Sequence, residues 1–305
     1  MGIPYSRALD IITRLSHHPP TDRLEAAIHR LFFGAGRRSN PVVVSMNGRR
    51  LQIFHRRTFS DLFVMWQCFY KQQYEVPTPE LHSPIHKLAL EARYAEILAR
   101  KQRPLIIDCG ANIGSSTLWF QARYPEARIV AIEPAPDNAS VLRQNCANTD
   151  IDVIEGAVAA VDGVMSLVDP DGSTNGYRTT PVNDREQAVG REVAALSLAT
   201  ILARASAARC EPFILKVDIE GSEKTFFATD WTNFDRFPLI IVEQHDFMMP
   251  GQSTGDSFLH YHASRQRDFL YGVENIFSVD YKALESTGSV VSRRRFSFVA
   301  QAGAT

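Results

Sequence analysis

One short stretch near the middle of the chain constrains the fold more than any other feature. The apolar segment 105–107 is followed by Asp108, by a turn containing Gly110 and Gly114, and then by a helical pattern that begins at Ser115. The two glycines allow the backbone to turn sharply and to approach a ligand closely. The helix that follows directs unpaired N–H groups and the positive end of its dipole at the same place. A buried strand, a glycine turn and a helix start in succession therefore predict a ligand-binding crevice.

The residues around this crevice indicate which ligand it takes. A second apolar strand, 127–132, ends at Glu133, where doubly wound folds place an acid on ribose hydroxyls. The turn has Asn112 at its centre and the spacing G-x-x-x-G, whereas a dinucleotide site requires G-x-G-x-x-G. Asp108 would repel phosphates, but it can accept hydrogen bonds from an ammonium group. These residues predict S-adenosylmethionine, which carries an ammonium, a sulfonium and a ribose but no phosphate.

Four segments resemble the signature blocks of FkbM-type methyltransferases. They are Asp108–Gly114, Ile132–Pro134, Leu215–Glu223 and Val242–His245. The resemblance covers the chain from about Val42 to Ala300. It implies an enzyme that uses S-adenosylmethionine to methylate a hydroxyl group of a small-molecule or glycan acceptor, such as a sugar, a glycolipid or a natural product.

The chain pattern and the resemblance together predict an α/β fold. Strand and helix patterns alternate from residue 104 onward, which is typical of a parallel sheet covered by helices on both faces. The predicted strands are 104–108, 127–133, 151–156, 212–218 and 238–244, and an antiparallel edge strand is predicted within 289–300. The resemblance implies a class I methyltransferase of Rossmann-like architecture, with a doubly wound, mostly parallel seven-stranded sheet.

We predict three parts along the chain. Residues 1–40 form a helical appendage and linker, residues 41–103 form a cap, and residues 104–302 form the methyltransferase core. In the cap, Asn47-Gly48 predicts a hairpin, Ser60 is the expected N-cap of a helix over 61–70, and a second helix is expected over 85–101. Segment 169–190 has few apolar residues and is expected to be a substrate-facing loop carrying Tyr177 and Arg178.

The predicted cofactor site combines the glycine turn with the ends of three further strands. The end of the third strand is included because related folds place the adenine ring there, against main chain and small residues. The predicted cofactor-binding residues are Asp108, Gly110, Asn112, Gly114, Ser115, Glu133, Gly156, Ala157 and Asp218.

A second polar cluster points to the chemistry. Lys216, Asp218 and Glu220 alternate with apolar residues, so they share one face of a strand that should be buried, and Glu243 and His245 follow the next strand. Buried charges must be paired, so a purely structural ion network is one interpretation. The other is catalysis, because ligands bind at the carboxyl ends of such strands. His245 is then the first choice as general base for the acceptor hydroxyl, with Asp218 or Glu243 orienting it, and Lys216 and Glu220 complete the predicted catalytic set.

The same region could also hold a divalent cation. Oxygen-rich ligand sets bind magnesium or calcium, and six side chains are available. They are Asp218, Glu220, Glu223, Glu243, His245 and Asp246. Their spacing is not a specific metal motif. No residue is therefore assigned to a metal, and a divalent cation remains an alternative.

Composition excludes some classes of partner. Thirty-three basic and thirty-four acidic side chains give a formal charge of -1, so the net charge of the chain does not favour binding to nucleic acid. The four cysteines have no C-x-x-C spacing, which favours reduced thiols and a cytoplasmic location. No apolar run is long enough for a membrane span. Oligomeric state is not indicated.

Two other functions remain possible from the sequence. One is a nicotinamide-dependent oxidoreductase, against which the missing central glycine of the turn argues. The other is a non-catalytic scaffold that keeps the methyltransferase fold, against which the complete acidic and histidine set argues.

Overall fold

The computed structural model describes residues 41–56, 58–78, 84–168, 178–181, 191–206, 209–272 and 274–285. Three predictions lie wholly or largely outside these residues. They are the helical appendage of residues 1–40, most of the loop 169–190 including Tyr177, and the edge strand within 289–300.

The cap begins with an antiparallel hairpin of β1 (Val42–Met46) and β2 (Arg49–Ile53). Asn47 and Gly48 connect the two strands with φ values of 50° and 74°. Both residues are therefore left-handed, as the predicted type I′ turn requires. Two helices follow, α1 (Phe59–Phe69) and α2 (Ile85–Ala99).

The predicted start of α1 is wrong by two residues. Thr58, not Ser60, is the N-cap, and its side-chain oxygen accepts a hydrogen bond of 3.2 Å from the backbone N–H of Asp61. The Asp61 carboxylate is fully buried and is bound by Arg56 through its backbone N–H and its guanidinium group. The segment before the helix is thus bound to the first turn of α1.

The core follows as alternating strands and helices. Its elements in chain order are β3 (Arg103–Cys109), α3 (Ser115–Arg123), β4 (Arg128–Glu133), α4 (Pro136–Cys146), β5 (Asp152–Glu155), β6 (Ala157–Val158), β7 (Gly163–Val168), β8 (Arg178–Pro181), β9 (Arg191–Leu196), α5 (Leu198–Ser206), β10 (Cys210–Val217), α6 (Glu223–Phe226), α7 (Trp231–Phe234), β11 (Leu239–Glu243), α8 (Asp256–Ala263), β12 (Asp268–Tyr271), β13 (Asn275–Val279) and α9 (Tyr281–Glu285).

Seven of these strands form the central sheet, in the order β12-β13-β11-β10-β3-β4-β5. The five strands from β11 to β5 run parallel, and β13 is antiparallel to both of its neighbours. The predicted fold, a doubly wound and mostly parallel seven-stranded sheet, is confirmed. The antiparallel position next to β11 is filled by Asn275–Val279, a strand that the sequence analysis did not identify.

A second, four-stranded sheet was not predicted. Its order is β6-β9-β7-β8, and Ser166 of β7 is paired with Thr180 of β8. Strand β8 lies inside the segment that was predicted to be a loop, so that prediction is wrong for residues 178–181. The strand is too short to show alternation in the sequence, and its pairing with β7 defines it.

Apolar side chains cover both faces of the central sheet. Phe226, Phe234 and Phe258 of α6, α7 and α8 pack on one face, while Trp119 and Phe120 of α3 pack on the other. Among the described helices, none combines the length and the apolar character needed to cross a bilayer. Within this apolar sheet, Asp108 of β3 and Lys216 of β10 are paired in register near the carboxyl ends of their strands. Because doubly wound sheets bind ligands at the carboxyl ends of their strands, these buried charges indicate a functional site in the crevice beside them.

Candidate active site

The glycine turn, residues 110–114, connects β3 to α3. Gly110, Asn112 and Gly114 all have left-handed backbone, with φ values of 79°, 51° and 91°. A Cβ on Gly110 would lie 1.7 Å from the carbonyl oxygen of Asp218, so no side chain fits there. The backbone N–H of Asp218 in turn donates to the carbonyl of Cys109 over 3.1 Å. The absence of a side chain at Gly110 therefore allows the end of β10 to pack against the turn.

Asp108 faces the protein interior. Its side chain is fully buried, and its Oδ2 accepts hydrogen bonds from Ser116 Oγ at 2.7 Å and Thr117 Oγ1 at 2.6 Å. Lys216 Nζ lies 3.1 Å from its Oδ1. The sequence analysis expected this carboxylate to accept hydrogen bonds from a ligand's ammonium group or from a water beside it. In the structure it holds the first turn of α3 and the lysine, and it lies behind the residues that line the crevice.

Lys216 joins β10 to the glycine turn. Its side chain is buried, and its Nζ lies 3.3 Å from Asp218 Oδ2 and donates to the carbonyl of Gly110 over 2.7 Å. Burial alone would lower the pKa of Lys216, but the charge of Asp108 and the other neighbours raise it well above its usual value. The lysine is therefore a fixed cation that positions the turn. This geometry favours a positioning role over the predicted catalytic one.

Glu133 ends β4 beneath the crevice. Its Oε1 accepts hydrogen bonds from Ala135 N at 2.9 Å and Asn138 Nδ2 at 3.2 Å, and its Oε2 accepts one from Asn112 N at 2.8 Å. Burial raises the pKa of Glu133 to about 6, against the lowering effect of these hydrogen bonds. A carboxylate oxygen can accept more than one hydrogen bond, so Oε2 has capacity for a further donor besides Asn112.

Two adjoining cavities open at this edge of the sheet. The first cavity is lined by Gly110, Asn112, Ile132, Glu133, Pro134, Asn138, Gly156, Ala157, Val158, Thr179, Asp218, Ile219 and Glu220. Predicted cofactor residues Glu133, Gly156 and Ala157 thus lie together. None of the described lining residues is a lysine or an arginine. The described side chains of this lining suit a neutral nucleoside and include no cation for a diphosphate.

The second cavity lies between the glycine turn, helix α1 and the end of β11. Its lining includes Ser115, Lys216 and Glu243 of the predicted set, together with Phe63, Gln67, Tyr74, Phe247 and Glu274. Ser115 Oγ is buried and has no hydrogen-bond partner in the described part of the chain. Gly110, Asn112, Asp218 and Glu220 line both cavities. These four residues form the boundary at which two bound molecules would meet.

His245 lies at the centre of the polar cluster. It is buried, and its Nδ1 is 2.9 Å from Oε1 of the equally buried Glu223. Its Nε2 faces Asp218 Oδ1 at 3.5 Å, Glu220 Oε2 at 3.6 Å and Glu243 Oε1 at 3.9 Å. The predicted catalytic residues of β10 and β11 are therefore close together in space.

The charges around His245 affect its predicted role. Burial alone would lower the pKa of His245, but the hydrogen bond to Glu223 and the charges of Glu223, Asp218 and Glu220 raise it to about 10. At neutral pH the imidazole in this arrangement is protonated, so it cannot accept a proton. This arrangement therefore does not favour His245 as the first candidate base.

The carboxylates of the cluster differ in their surroundings. Burial and the charge of Asp218 raise the pKa of Glu220 to about 7, and burial and the charge of Asp218 raise the pKa of Glu243 well above its usual value. Arg178 of β8 offsets part of the effect on Glu220. Asp246, which was named as a possible cation ligand, instead accepts hydrogen bonds from Thr254 N at 2.6 Å and Gly255 N at 3.2 Å.

Sequence reasoning missed several residues of the two cavities. They are Phe63, Gln67, Asn138, Phe247 and Glu274. Asn138 could have been predicted, because it lies in the first turn of α4, the helix that follows Glu133. The others come from the cap and from the segments after β11 and β12, and no local motif connects them to the crevice. Among the cap residues, Tyr74 lines the second cavity, whereas Thr58 and Asp61 lie at the start of α1.

Comparisons with known proteins identify a family of methyltransferases to which the chain is similar. The model of the methyltransferase FkbM domain matches residues 108–271. The chain is 43% identical to methyltransferase sdnD of Sordaria araneosa over 63 residues, which is 21% of this chain and 24% of that protein. It is 25% identical to methyltransferase 1 of Beauveria bassiana over 191 residues, which is 54% of this chain and 77% of that protein. The match to sdnD thus spans about a quarter of that relative's length.

A solved structure also resembles the chain. The O-methyltransferase from Bacillus cereus in complex with SAH has 13% identity and a TM-score of 0.32, over 71% of this chain and 90% of that chain. The topology described above identifies the fold without this likeness.

Proposed function

We propose, from the premise that this chain belongs to the FkbM methyltransferase family, that it uses S-adenosylmethionine to methylate a hydroxyl group of a neutral small molecule or glycan. The observation that carries this proposal is the meeting of the two cavities at Gly110, Asn112, Asp218 and Glu220. One cavity suits a nucleoside, the other opens beneath the cap, and carboxylates lie where they join.

The first cavity supports binding of the nucleoside part of the cofactor. Gly156 and Ala157 offer small residues and main chain to an adenine ring, and Glu133 Oε2 can accept a hydrogen bond from a ribose hydroxyl. The absence of lysine and arginine from the described lining disfavours NAD(P), whose diphosphate would need a cation or a bare glycine-rich backbone. The oxidoreductase alternative is therefore not favoured.

The second cavity supports binding of the methionine end and of the acceptor. The unpartnered hydroxyl of Ser115 and the N-terminal turn of α3 can bind a carboxylate there, as helix N-termini do. Asp218 presents an oxygen to a cationic group at the boundary between the cavities. Asp108 contributes from behind by holding Lys216 and the start of α3.

S-adenosylmethionine supplies a sulfonium methyl group, and in the overall reaction an O–C bond forms, the S–C bond breaks and the hydroxyl loses its proton. The protein must align the hydroxyl oxygen with the methyl carbon and remove that proton. Glu243 lines the acceptor side and lies next to the shared boundary, so we assign it the role of proton acceptor. His245 lies between the carboxylates Asp218 and Glu220 and holds them in place.

The charge of the second cavity limits the acceptor. Asp218, Glu220, Glu243 and Glu274 line it, and the cation of Lys216 is already paired with Asp108 and Asp218. Anionic acceptors would be repelled. Phe247, whose side chain is 74% exposed, offers an apolar surface at the mouth of the cavity. A neutral polyol or glycan with an apolar substituent fits these features.

The test is methyl transfer from labelled S-adenosylmethionine to a panel of neutral alcohols and glycans, compared with carboxylated and phosphorylated analogues. We expect label in the neutral acceptors only. Glu243→Gln should lower kcat by about 10²- to 10⁴-fold, which is the usual contribution of a general base, and should leave the Kd for the cofactor unchanged.

A matched control is available in the same cavity. Glu274 lines the acceptor side and accepts a hydrogen bond from Gln67 over 2.6 Å. Glu274→Gln should alter KM for the acceptor and keep kcat within a few-fold. The proposal fails if no hydroxylated acceptor takes up label, and the base assignment fails if Glu243→Gln keeps its kcat.

A further inference from the structure

We infer that Asp218, Glu220 and His245 form a binding site for a hard divalent cation of the Mg²⁺ or Mn²⁺ class at the boundary of the two cavities. One carboxylate oxygen from each acid and the Nε2 of the histidine lie within 4.8 Å of one another. The inference deepens the proposed function and rests on it only for the role of the ion in catalysis.

The distances around His245 Nε2 suit ligands of a common ion. Nε2 is 3.5 Å from Asp218 Oδ1 and 3.6 Å from Glu220 Oε2, and both distances exceed those of a normal N–H···O hydrogen bond. Two atoms that each lie about 2.1 Å from one ion, at tetrahedral or octahedral angles, are roughly 3.0–3.4 Å apart. A small inward movement of these side chains would complete the coordination.

The imidazole is held in the orientation that a metal ligand requires. Glu223 Oε1 binds His245 Nδ1 at 2.9 Å and also accepts a hydrogen bond from the backbone N–H of Ile219 at 3.1 Å. Both the histidine and the glutamate are buried, with 1% exposure each. A bound ion would displace the proton from Nε2, while the Glu223 carboxylate keeps the proton on Nδ1 and directs Nε2 at the ion, which is the usual support of a histidine ligand.

The local charge favours a cation at the same point. Asp218, Glu220 and Glu243 all face Nε2, and Glu223 lies behind the ring. Lys216 contacts Oδ2 of Asp218, which is not the oxygen that faces Nε2, and it is shared with Asp108. Even with Arg178 acting on Glu220, carboxylates outnumber cations here. Two oxygen ligands and one nitrogen, with further positions open to the cavities, match Mg²⁺ or Mn²⁺ chemistry.

Such an ion would act on the acceptor. Asp218 and Glu220 line both cavities, so an ion between them would border the acceptor hydroxyl. A bound divalent cation lowers the pKa of a coordinated hydroxyl and orients its oxygen, while Glu243 accepts the proton. Acceptors with two neighbouring hydroxyl groups, which can chelate the ion, would then be favoured over simple alcohols.

The experiment is a titration of the full chain, after treatment with a chelator, with Mn²⁺ followed by electron paramagnetic resonance, without cofactor or acceptor. We expect one tightly bound Mn²⁺ that Mg²⁺ displaces. Glu220→Gln and His245→Gln should weaken binding at least tenfold. Glu223→Gln, which keeps every ligand but loses the support of the ring, should weaken binding by about 10- to 100-fold. Glu274→Gln is the matched control from the same cavity and should bind as the wild type does.

The outcomes separate this inference from the proposed function. Absence of bound Mn²⁺ in the wild type, or unchanged binding in folded Glu220→Gln and Glu223→Gln, overturns the cation site. If the titration finds no bound Mn²⁺ and methyl transfer continues at full rate in chelator, the site is overturned and the methyltransferase proposal stays intact. Specific Mn²⁺ binding without methyl transfer to any hydroxyl contradicts the proposed function and keeps the site.

Discussion

Glu133 gives the sharpest quantitative prediction, because it is a buried acid whose surroundings are fully described. Its side chain is 4% exposed and accepts hydrogen bonds from Ala135, Asn138 and Asn112. Replacement by glutamine keeps the shape but removes both the titration and the charge. The substitution should therefore change the pH dependence of stability and the affinity for the cofactor.

The stability effect follows from the two pKa values. Burial raises the pKa of Glu133 from 4.5 to about 6 in the folded protein. The folded state therefore binds the proton more tightly, and this stabilisation is complete below pH 4.5 and is lost as the pH rises through 6. At 1.36 kcal/mol for each pH unit between the two values, the full effect is about 2 kcal/mol, of which about 1.2 kcal/mol falls between pH 5 and 7.5.

Urea unfolding of the wild type and Glu133→Gln at pH 5, 6 and 7.5 measures this effect. Other groups titrate alike in both proteins, so the stability of the wild type relative to the variant should fall by about 1.2 kcal/mol from pH 5 to 7.5. A difference that stays constant, or that grows with pH, would refute the reasoning. At pH 7.5 the variant should also bind S-adenosylmethionine about 10- to 100-fold more weakly, since a hydrogen bond to a charged acceptor contributes about 1.5–3 kcal/mol.

Three further substitutions test the turn, the cap and the second cavity. Gly110→Ala should lower the urea midpoint sharply or prevent folding, because its Cβ would lie 1.7 Å from the carbonyl oxygen of Asp218 and its φ is +79°; a variant of wild-type stability would show that this contact is wrong. Thr58→Ala removes the N-cap of α1 and should cost about 1 kcal/mol in urea unfolding, with no change in cofactor Kd. Phe247→Ala should raise the KM for the acceptor several-fold while calorimetry gives an unchanged cofactor Kd, since Phe247 lines only the second of the two cavities; a loss of cofactor affinity would contradict this placement.

The features that could be predicted from the sequence are those with a local signal. The strand before Asp108, the glycine turn and α3 follow one another directly, and helix α3 begins at Ser115 as predicted. The prediction that Lys216, Asp218 and Glu220 share one strand face is wrong, because β10 ends at Val217 and Glu220 lies in the following turn with a φ of 54°. Hydrophobic periodicity and turn residues act over a few neighbouring positions, so the elements that they define can be predicted from a single sequence.

The features that could not be predicted depend on contacts between distant segments. Asp108 points inward because Lys216 of a neighbouring strand pairs with it in register. His245 is protonated because Glu223, from the segment after β10, binds its ring. Neither partner is marked by spacing in the chain. The inward position of Asp108 and the protonation of His245 therefore emerge only when β3, β10 and β11 are placed side by side.

The central claim is that the crevice is built for a sulfonium nucleoside and not for a dinucleotide. Calorimetric titrations of the same protein with S-adenosylmethionine and with NADH test it most directly. The account predicts one molecule of S-adenosylmethionine bound per chain, with binding weakened in Glu133→Gln, and no heat of binding from NADH. Micromolar binding of NADH together with no binding of S-adenosylmethionine would contradict it.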